Sequence, residues 1–218
     1  MNMKTTELFD LTGTIAAPLL EKTEYPWEAL KGIKDFILTL GPTLGEDFEQ
    51  VGEDVWIAKD AKVAPSASIT GPCIIDRGAE IRHCAFIRGS AIVGKGATVG
   101  NSTELKNSIL FDKAQAPHYN YVGDTILGIR SHLGAGAITS NLKSDGSNIV
   151  IKDEVPMETG LRKIGALVGD YTEVGCGTIL NPGSVIGKHC QLYPLSMFRG
   201  TLEANRIYKK QGEVVEKR

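Results

Sequence analysis

The chain has 218 residues, 42% of them hydrophobic, with 24 basic against 26 acidic side chains. That length suffices to bury a core in one large or two small domains. A formal charge of −2 and a pI near 6.1 provide no global attraction to nucleic acid or anionic lipid.

The first residues, MNMKTTELFD, show no basic flank leading into an apolar run, so no secretory leader is read there. No stretch of about 18 apolar residues is available to cross a membrane. Residues 1–50 read as helical. Pro26 suits a first helical position, and Trp27, Leu30, Ile33, Ile37 and Leu40 come after it at helical spacing to a stop at Gly41-Pro42. A shorter helix around Thr14 to Lys22 contains Pro18. The segment is expected to cap the first coil of a solenoid that begins near residue 51, because the open end of a solenoid leaves strand edges unpaired.

From Ile57 the sequence repeats every six residues. Ile57, Val63, Ile69, Ile75, Ile81, Ile87, Val93, Val99, Leu105 and Phe111 are all large and apolar. Four places after each of the first eight stand Ala61, Ala67, Cys73, Ala79, Ala85, Ala91, Ala97 and Thr103, all small. A second array runs through Val168, Val174, Leu180, Ile186 and Leu192, with Thr172, Thr178, Ser184, Cys190 and Ser196 as small partners. Alternate residues of a strand face the same side, so each hexad sends one large and one small residue inward. Three short strands joined by tight turns make a triangular coil, and stacked coils form parallel sheets about 4.8 Å apart. The 25 glycines and 6% aromatics suit such a turn-dense repeat. The pattern resembles the left-handed parallel β-helix of hexapeptide acyltransferases. The left hand comes from that resemblance, since crossovers are ordinarily right-handed.

The expected organisation is a helical segment at 1–50, an all-β solenoid at 51–200 and a basic tail at 201–218 carrying Arg206, Lys209, Lys210, Lys217 and Arg218. Two stretches, 112–123 and 139–165, break the hexads, with Leu127 and Leu133 keeping one step between them. Function tends to lodge in such departures. Cys73, Cys84, Cys176 and Cys190 form no CxxC pair, which predicts reduced thiols in a cytoplasmic protein.

Of four histidines, His83 and His189 fall at outward or corner positions and read as solvated. His132 faces out from a strand beside the second break. His118, between Pro117 and Tyr119 in the first break, is the candidate general base, because imidazole titrates near neutral pH.

The stretch PHYNYVGDTILG, with LGAGAITSNL after it, resembles the C-terminal acetyltransferase domain of the bifunctional N-acetylglucosamine-1-phosphate uridyltransferase/glucosamine-1-phosphate acetyltransferase family, in its archaeal-type branch. The likeness spans roughly residues 51–200. It implies an acetyl-coenzyme A-dependent N-acetyltransferase of an amino sugar 1-phosphate, working as a homotrimer with sites between neighbouring β-helices. It implies His118 as the base that deprotonates the amine, with Arg88, Lys106, Tyr121 and Asn141 binding substrate. His132 takes the place of a substrate-contacting asparagine. Segments around Ala135 and Cys176 would line the acetyl-coenzyme A cleft. An oxyanion donor is expected among the backbone amides of Gly134, Ala135 and Gly136. Leu142 replaces a tyrosine of the family, and Arg162 and Lys163 lie in a longer insert. The glycine-rich GxGTR loop of the nucleotide-transferring half is missing from this chain. Two rivals stand beside this reading. A zinc enzyme of the gamma carbonic anhydrase type would need closely spaced histidines, and none are present. A non-catalytic β-helix could instead bind a sugar nucleotide or partner a separate nucleotidyltransferase.

Overall fold

The computed structural model describes residues 1–217 and winds the hexads into a parallel β-solenoid with three faces. The first and third sheets have nine strands each and the second has seven. Each coil visits them in the order first, third, second: Ser108–Leu110, then Gln115–His118, then Tyr121–Gly123.

The inward residues are those the repeat predicts from Ile75 to Leu105, all fully buried with their small partners. Coil by coil the buried hydroxyls donate to turn carbonyls. Thr172 reaches the carbonyl of Gly187 (2.8 Å) and Ser196 that of Tyr193 (2.6 Å). Among the described residues no buried side-chain polar atom is left without a partner. The first coil is looser. Ile57 and Ile69 are only partly covered and Val63 is exposed.

After Leu105 the period shortens by one, and Leu110 rather than Phe111 takes the inner position. A one-residue step reverses every side chain in a strand. Phe111 and Ile109 therefore face outward into a second apolar cluster, where Phe111 meets Phe9 at 5.1 Å between ring centroids. The stretch 112–123 does not leave the coil. With the new register Ala116 and Val122 are inward, Gln115–His118 pairs with Thr98–Asn101 and His132–Leu133, and Tyr121–Gly123 pairs with Glu104–Lys106 and Ile138–Thr139. His118 accordingly closes a strand rather than riding on a loop. The true excursion lies between Ile138–Thr139 and Ala166–Val168. It carries an antiparallel pair, Val150–Ile151 with Met157–Glu158, and Leu142 bridges to Lys163 at its neck.

The N-terminal segment folds into short helices at Thr5–Leu8, Ala17–Leu20 and Ile33–Leu40 with 3₁₀ turns between them. Pro26 does open a helical turn, and the Glu28 carboxylate accepts from the backbone amides of Glu24 and Tyr25. The segment does not sit over the end of the coil. It covers the outer face of the first sheet, burying Ile74, Ile92, Ile109, Ile126, Leu167 and Val185 beneath Leu8, Phe9, Leu20, Trp27 and Ile33. Strands apolar on both faces must be covered on both.

At the other end, 201–216 is not a loose tail. Thr201–Leu202 and Arg206–Lys210 continue the first and third sheets, and Glu213–Glu216 folds back antiparallel on the latter. Tyr208 is buried edge-on against Phe198. Arg206, Lys209 and Lys210 pair with Glu203, Glu213 and Glu216. Arg218 lies outside the described residues. No helix is long and apolar enough to cross a membrane among those described.

Candidate active site

Residues about 18 apart in sequence stack on one another in a coil of this size, so side-chain sets form along its edges. Arg88, Lys106, Tyr121 and Asn141 assemble in this way on the second sheet and its far corner. Glu104 sits in register with Phe86 on one side and Tyr121 on the other. The Arg88 guanidinium bonds the Glu104 carboxylate at 2.6 Å and lies 5.9 Å from the Phe86 ring centre. Its hydrogen bond to Glu104 and that carboxylate's charge hold it above the ordinary guanidinium range.

One coil further, the buried carboxylate of Asp124 gathers three donors. Lys106 Nζ lies 3.2 Å away, Asn107 Nδ2 2.8 Å, and Asn141 Nδ2 makes a shorter contact. Asn141 also donates to the Tyr121 hydroxyl at 3.2 Å. Burial pushes that phenol upward, partly opposed by the Asn141 bond. Sequence motifs assign no role to Asp124, Glu104 or Asn107. The coil length was the available signal, since Asp124 lies eighteen residues after Lys106.

His118 stands at the corner between the third and second sheets. Its backbone amide donates to Asn120 Oδ1 (3.1 Å) and its carbonyl accepts from Gly136 (3.0 Å). Tyr119 turns the chain at φ 51°. The imidazole is exposed and makes no hydrogen bond among the described residues. Ala135 and Cys176, both exposed, come next on the same corner. Gly177 donates to the Ala135 carbonyl and Leu195 to that of Cys176, each at 2.8 Å. Gly134 is required here, because a Cβ would lie 2.5 Å from the Cys176 amide nitrogen. Two of the three expected oxyanion donors are already engaged, Gly134 with the Val174 carbonyl and Gly136 with that of His118. Among the described residues the Ala135 amide is the one without a partner.

His132 is not brought to this group. It lies on the outer face of the third sheet, level with Gln115 and Glu173, and its Nδ1 is 2.9 Å from Glu173 Oε2. His83 bonds Ser66, and His189 stacks on Tyr171. No group of three or more His, Cys, Asp or Glu side chains is placed to hold a metal among the described residues.

Residues 69–161 match the family described as the GMPPB C-terminal domain. The bifunctional protein GlmU of Methanococcus maripaludis is 31% identical over 118 residues, which is 54% of this chain and 29% of the relative. A bifunctional sugar-1-phosphate nucleotidylyltransferase/acetyltransferase of Sulfurisphaera tokodaii is 31% identical over 94 residues, 43% of this chain and 23% of that one. The chain thus spans under a third of the length of these curated relatives. Among solved structures, a perosamine N-acetyltransferase from Caulobacter crescentus, in complex with CoA and GDP-perosamine, is 16% identical with a TM-score of 0.36, covering 75% of this chain and 56% of that one. Over its β-solenoid, this chain is similar in sequence to the bifunctional GlmU and sugar-1-phosphate nucleotidylyltransferase/acetyltransferase proteins, the resemblance that its PHYNYVGD and GAG motifs carry.

Proposed function

We propose that the chain is an acetyl-coenzyme A-dependent N-acetyltransferase acting on an amino sugar 1-phosphate, with His118 as general base. The observation that carries this reading is the arrangement on one corner of the coil. A solvent-facing imidazole without a partner among the described residues leads along that corner to exposed Ala135 and Cys176, and the adjoining sheet supplies Arg88, Lys106, Tyr121 and Asn141. The name of the Sulfurisphaera tokodaii relative supports its coarser part, acetyl transfer in the context of a sugar 1-phosphate.

In this reading His118 accepts a proton from the amine as nitrogen attacks the thioester carbonyl. The Ala135 amide faces the developing oxyanion. The C–S bond then breaks, and the departing thiolate of coenzyme A takes up a proton. The 1-phosphate exchanges with Glu104 and Asp124 for Arg88 and Lys106, leaving Asp124 held by Asn107 and Asn141. His132, on the outer face of the third sheet, joins the substrate of a neighbouring copy in this reading, as in a homotrimer with sites between coils. Reduced thiols and a metabolite substrate suit an enzyme of the cytoplasm.

The test is release of free coenzyme A thiol from acetyl-coenzyme A with a panel of amino sugar 1-phosphates. Release dependent on one sugar establishes the transferase and names its substrate. That both Arg88 and Lys106 are neutralised by carboxylates favours a second reading, a non-catalytic β-helix that binds a sugar nucleotide or partners a separate nucleotidyltransferase. Tight nucleotide-sugar binding with no thiol release across the panel would establish that one.

A further inference from the structure

The corner between the first and third sheets carries a ladder of residues with positive φ, one per coil. Gly78, Gly96, Lys113, Arg130, Tyr171, His189 and Asn205 lie between 51° and 64°. Each later member donates its amide to the turn of the coil before, as Lys113 does to Lys95, Arg130 to Asp112 and His189 to Asp170. Glycine and asparagine adopt this conformation at least cost, and larger side chains are strained in it. Four successive coils nevertheless place Lys, Arg, Tyr and His there. Every Lys, Arg or His with positive φ among the described residues lies on this one corner. Positive φ recurs at the other corners too, at Cys84, Ser102, Tyr119 and Leu195 for example, so what sets this corner apart is the run of cationic and aromatic side chains it carries.

These side chains line an open groove of about 890 Å³ that also receives His132, Glu173 and Lys217. Lys113, Arg130 and Lys217 have no carboxylate within ion-pair distance among the described residues, whereas Lys188 and Arg206, further along the coil, are paired with Asp170 and Glu203. Glu173 is the one carboxylate lining the groove among the described residues, and it is turned to His132. Beside the cations, the rings of Tyr171 and His189 stack at 5.0 Å with an interplanar angle of 3°, and Tyr171 is exposed. Cations one coil apart, about 4.8 Å, suit two linked phosphates. A flat aromatic pair open to solvent suits a planar base.

We propose that this groove binds the diphosphate and base of a nucleotide. Lys113, Arg130 and Lys217 engage the phosphates, and the Tyr171–His189 pair stacks on the ring. The ligand is a free nucleoside diphosphate or the same moiety within a larger molecule, namely coenzyme A or a nucleotide sugar.

The test is calorimetric binding of ADP, UDP and inorganic pyrophosphate to the intact protein. Saturable binding that weakens with salt is expected. The double variant Lys113→Gly, Arg130→Gly should lose at least about tenfold in affinity for all three, while its thermal midpoint holds or rises because glycine relieves the strain. Tyr171→Asn should weaken the nucleotides and leave pyrophosphate unchanged. Displacement of ADP by coenzyme A, or by a nucleotide sugar, identifies the source and supports the site in either case. No saturable binding up to about 1 mM, or unaltered affinity in the glycine variant, overturns it. The readout needs no turnover. Its failure therefore leaves the acetyl-transfer proposal intact, and a silent acetylation assay leaves this one intact.

Discussion

His118 owes its exposure to the corner rather than to the alternation of the strand. Three residues earlier Gln115 is also exposed, while Ala116 and Pro117 are buried, and the turn at Tyr119 leaves the imidazole at the coil's edge. If it is the base, His118→Ala should lower turnover by about 10²–10⁴-fold with an unchanged circular dichroism spectrum, since no side-chain bond of the fold is lost. A loss under about tenfold would shift the base role to His132, whose Nδ1 is held by Glu173 as an orienting carboxylate would hold it. The cysteines divide by the same geometry. Burial pushes the Cys73 thiol up to about 12 and raises Cys190 too, whereas Cys84 and Cys176 are exposed. Reactivity follows the thiolate and its access. A thiol reagent at neutral pH should therefore modify Cys84 and Cys176 in the native protein, and Cys73 and Cys190 only after unfolding. Acetyl-coenzyme A should protect Cys176 and leave Cys84 reactive. Equal labelling of both with the coenzyme bound would remove Cys176 from the proposed cleft.

At the level of elements, the first sheet depends on the N-terminal segment. Its outward ladder of Trp56, Ile74, Ile92, Ile109, Ile126, Leu167 and Val185 would otherwise meet water, and Phe111, fully buried just past the strand Ser108–Leu110, packs on Phe9. Phe111→Ala should destabilise the protein by about 3–5 kcal/mol, the cost of emptying a buried aromatic site, read from urea unfolding. A change under about 1 kcal/mol would mean that the segment is not cooperative with the coil. This position also shows what the sequence could and could not disclose. The hexads made the core legible from Ile75 to Leu105 and again from Val168, because inward residues recur with a fixed period. They misread Phe111, because a five-residue step at a corner leaves a large apolar residue at the predicted stop while reversing its direction. The same step made 112–123 look like a break when it is an ordinary coil. The segment at 1–50 was legible as helical, but not its flanking position. Runs such as Cys73–Ile75 and Ala91–Val93, apolar on both faces, were the unused signal. Of the candidate site, the side chains of Arg88, Lys106, Tyr121 and Asn141 fell together because one coil separates them. Glu104, and Asp124 although it closes the PHYNYVGD motif, were given no role because carboxylates have no repeat of their own and acquire a role only from the neighbour stacked above.

For the whole molecule, the three faces are unequal. The first is covered by the N-terminal segment, and the third presents mostly polar side chains outward, such as Glu80, Gln115, His132, Glu173 and Gln191. The second sheet and its leading corner expose apolar ones: Phe86, Tyr119, Ile138, Leu195 and Met197, of which Leu195 is 85% accessible. A contiguous apolar surface beside a polar rim marks an association face. This face lies next to Arg88, Lys106 and Tyr121 and away from His132, so a neighbour docked there is what could add a third-sheet histidine to the site. Closed symmetry about one axis satisfies such a heterologous contact without leaving an open end. The homotrimer proposal therefore makes one joint prediction. The protein should sediment as three copies, and Ile138→Glu with Met197→Glu should release folded single chains, because two carboxylates cannot be desolvated in the interface without partners. Those single chains should lose acetyl transfer in step with dissociation, although neither position touches His118 in the proposed chemistry. A wild-type protein that sediments as one copy and still turns over would defeat both the trimer and the shared site. A variant that dissociates yet keeps full activity would defeat the shared site alone and leave His132 without a part in the reaction.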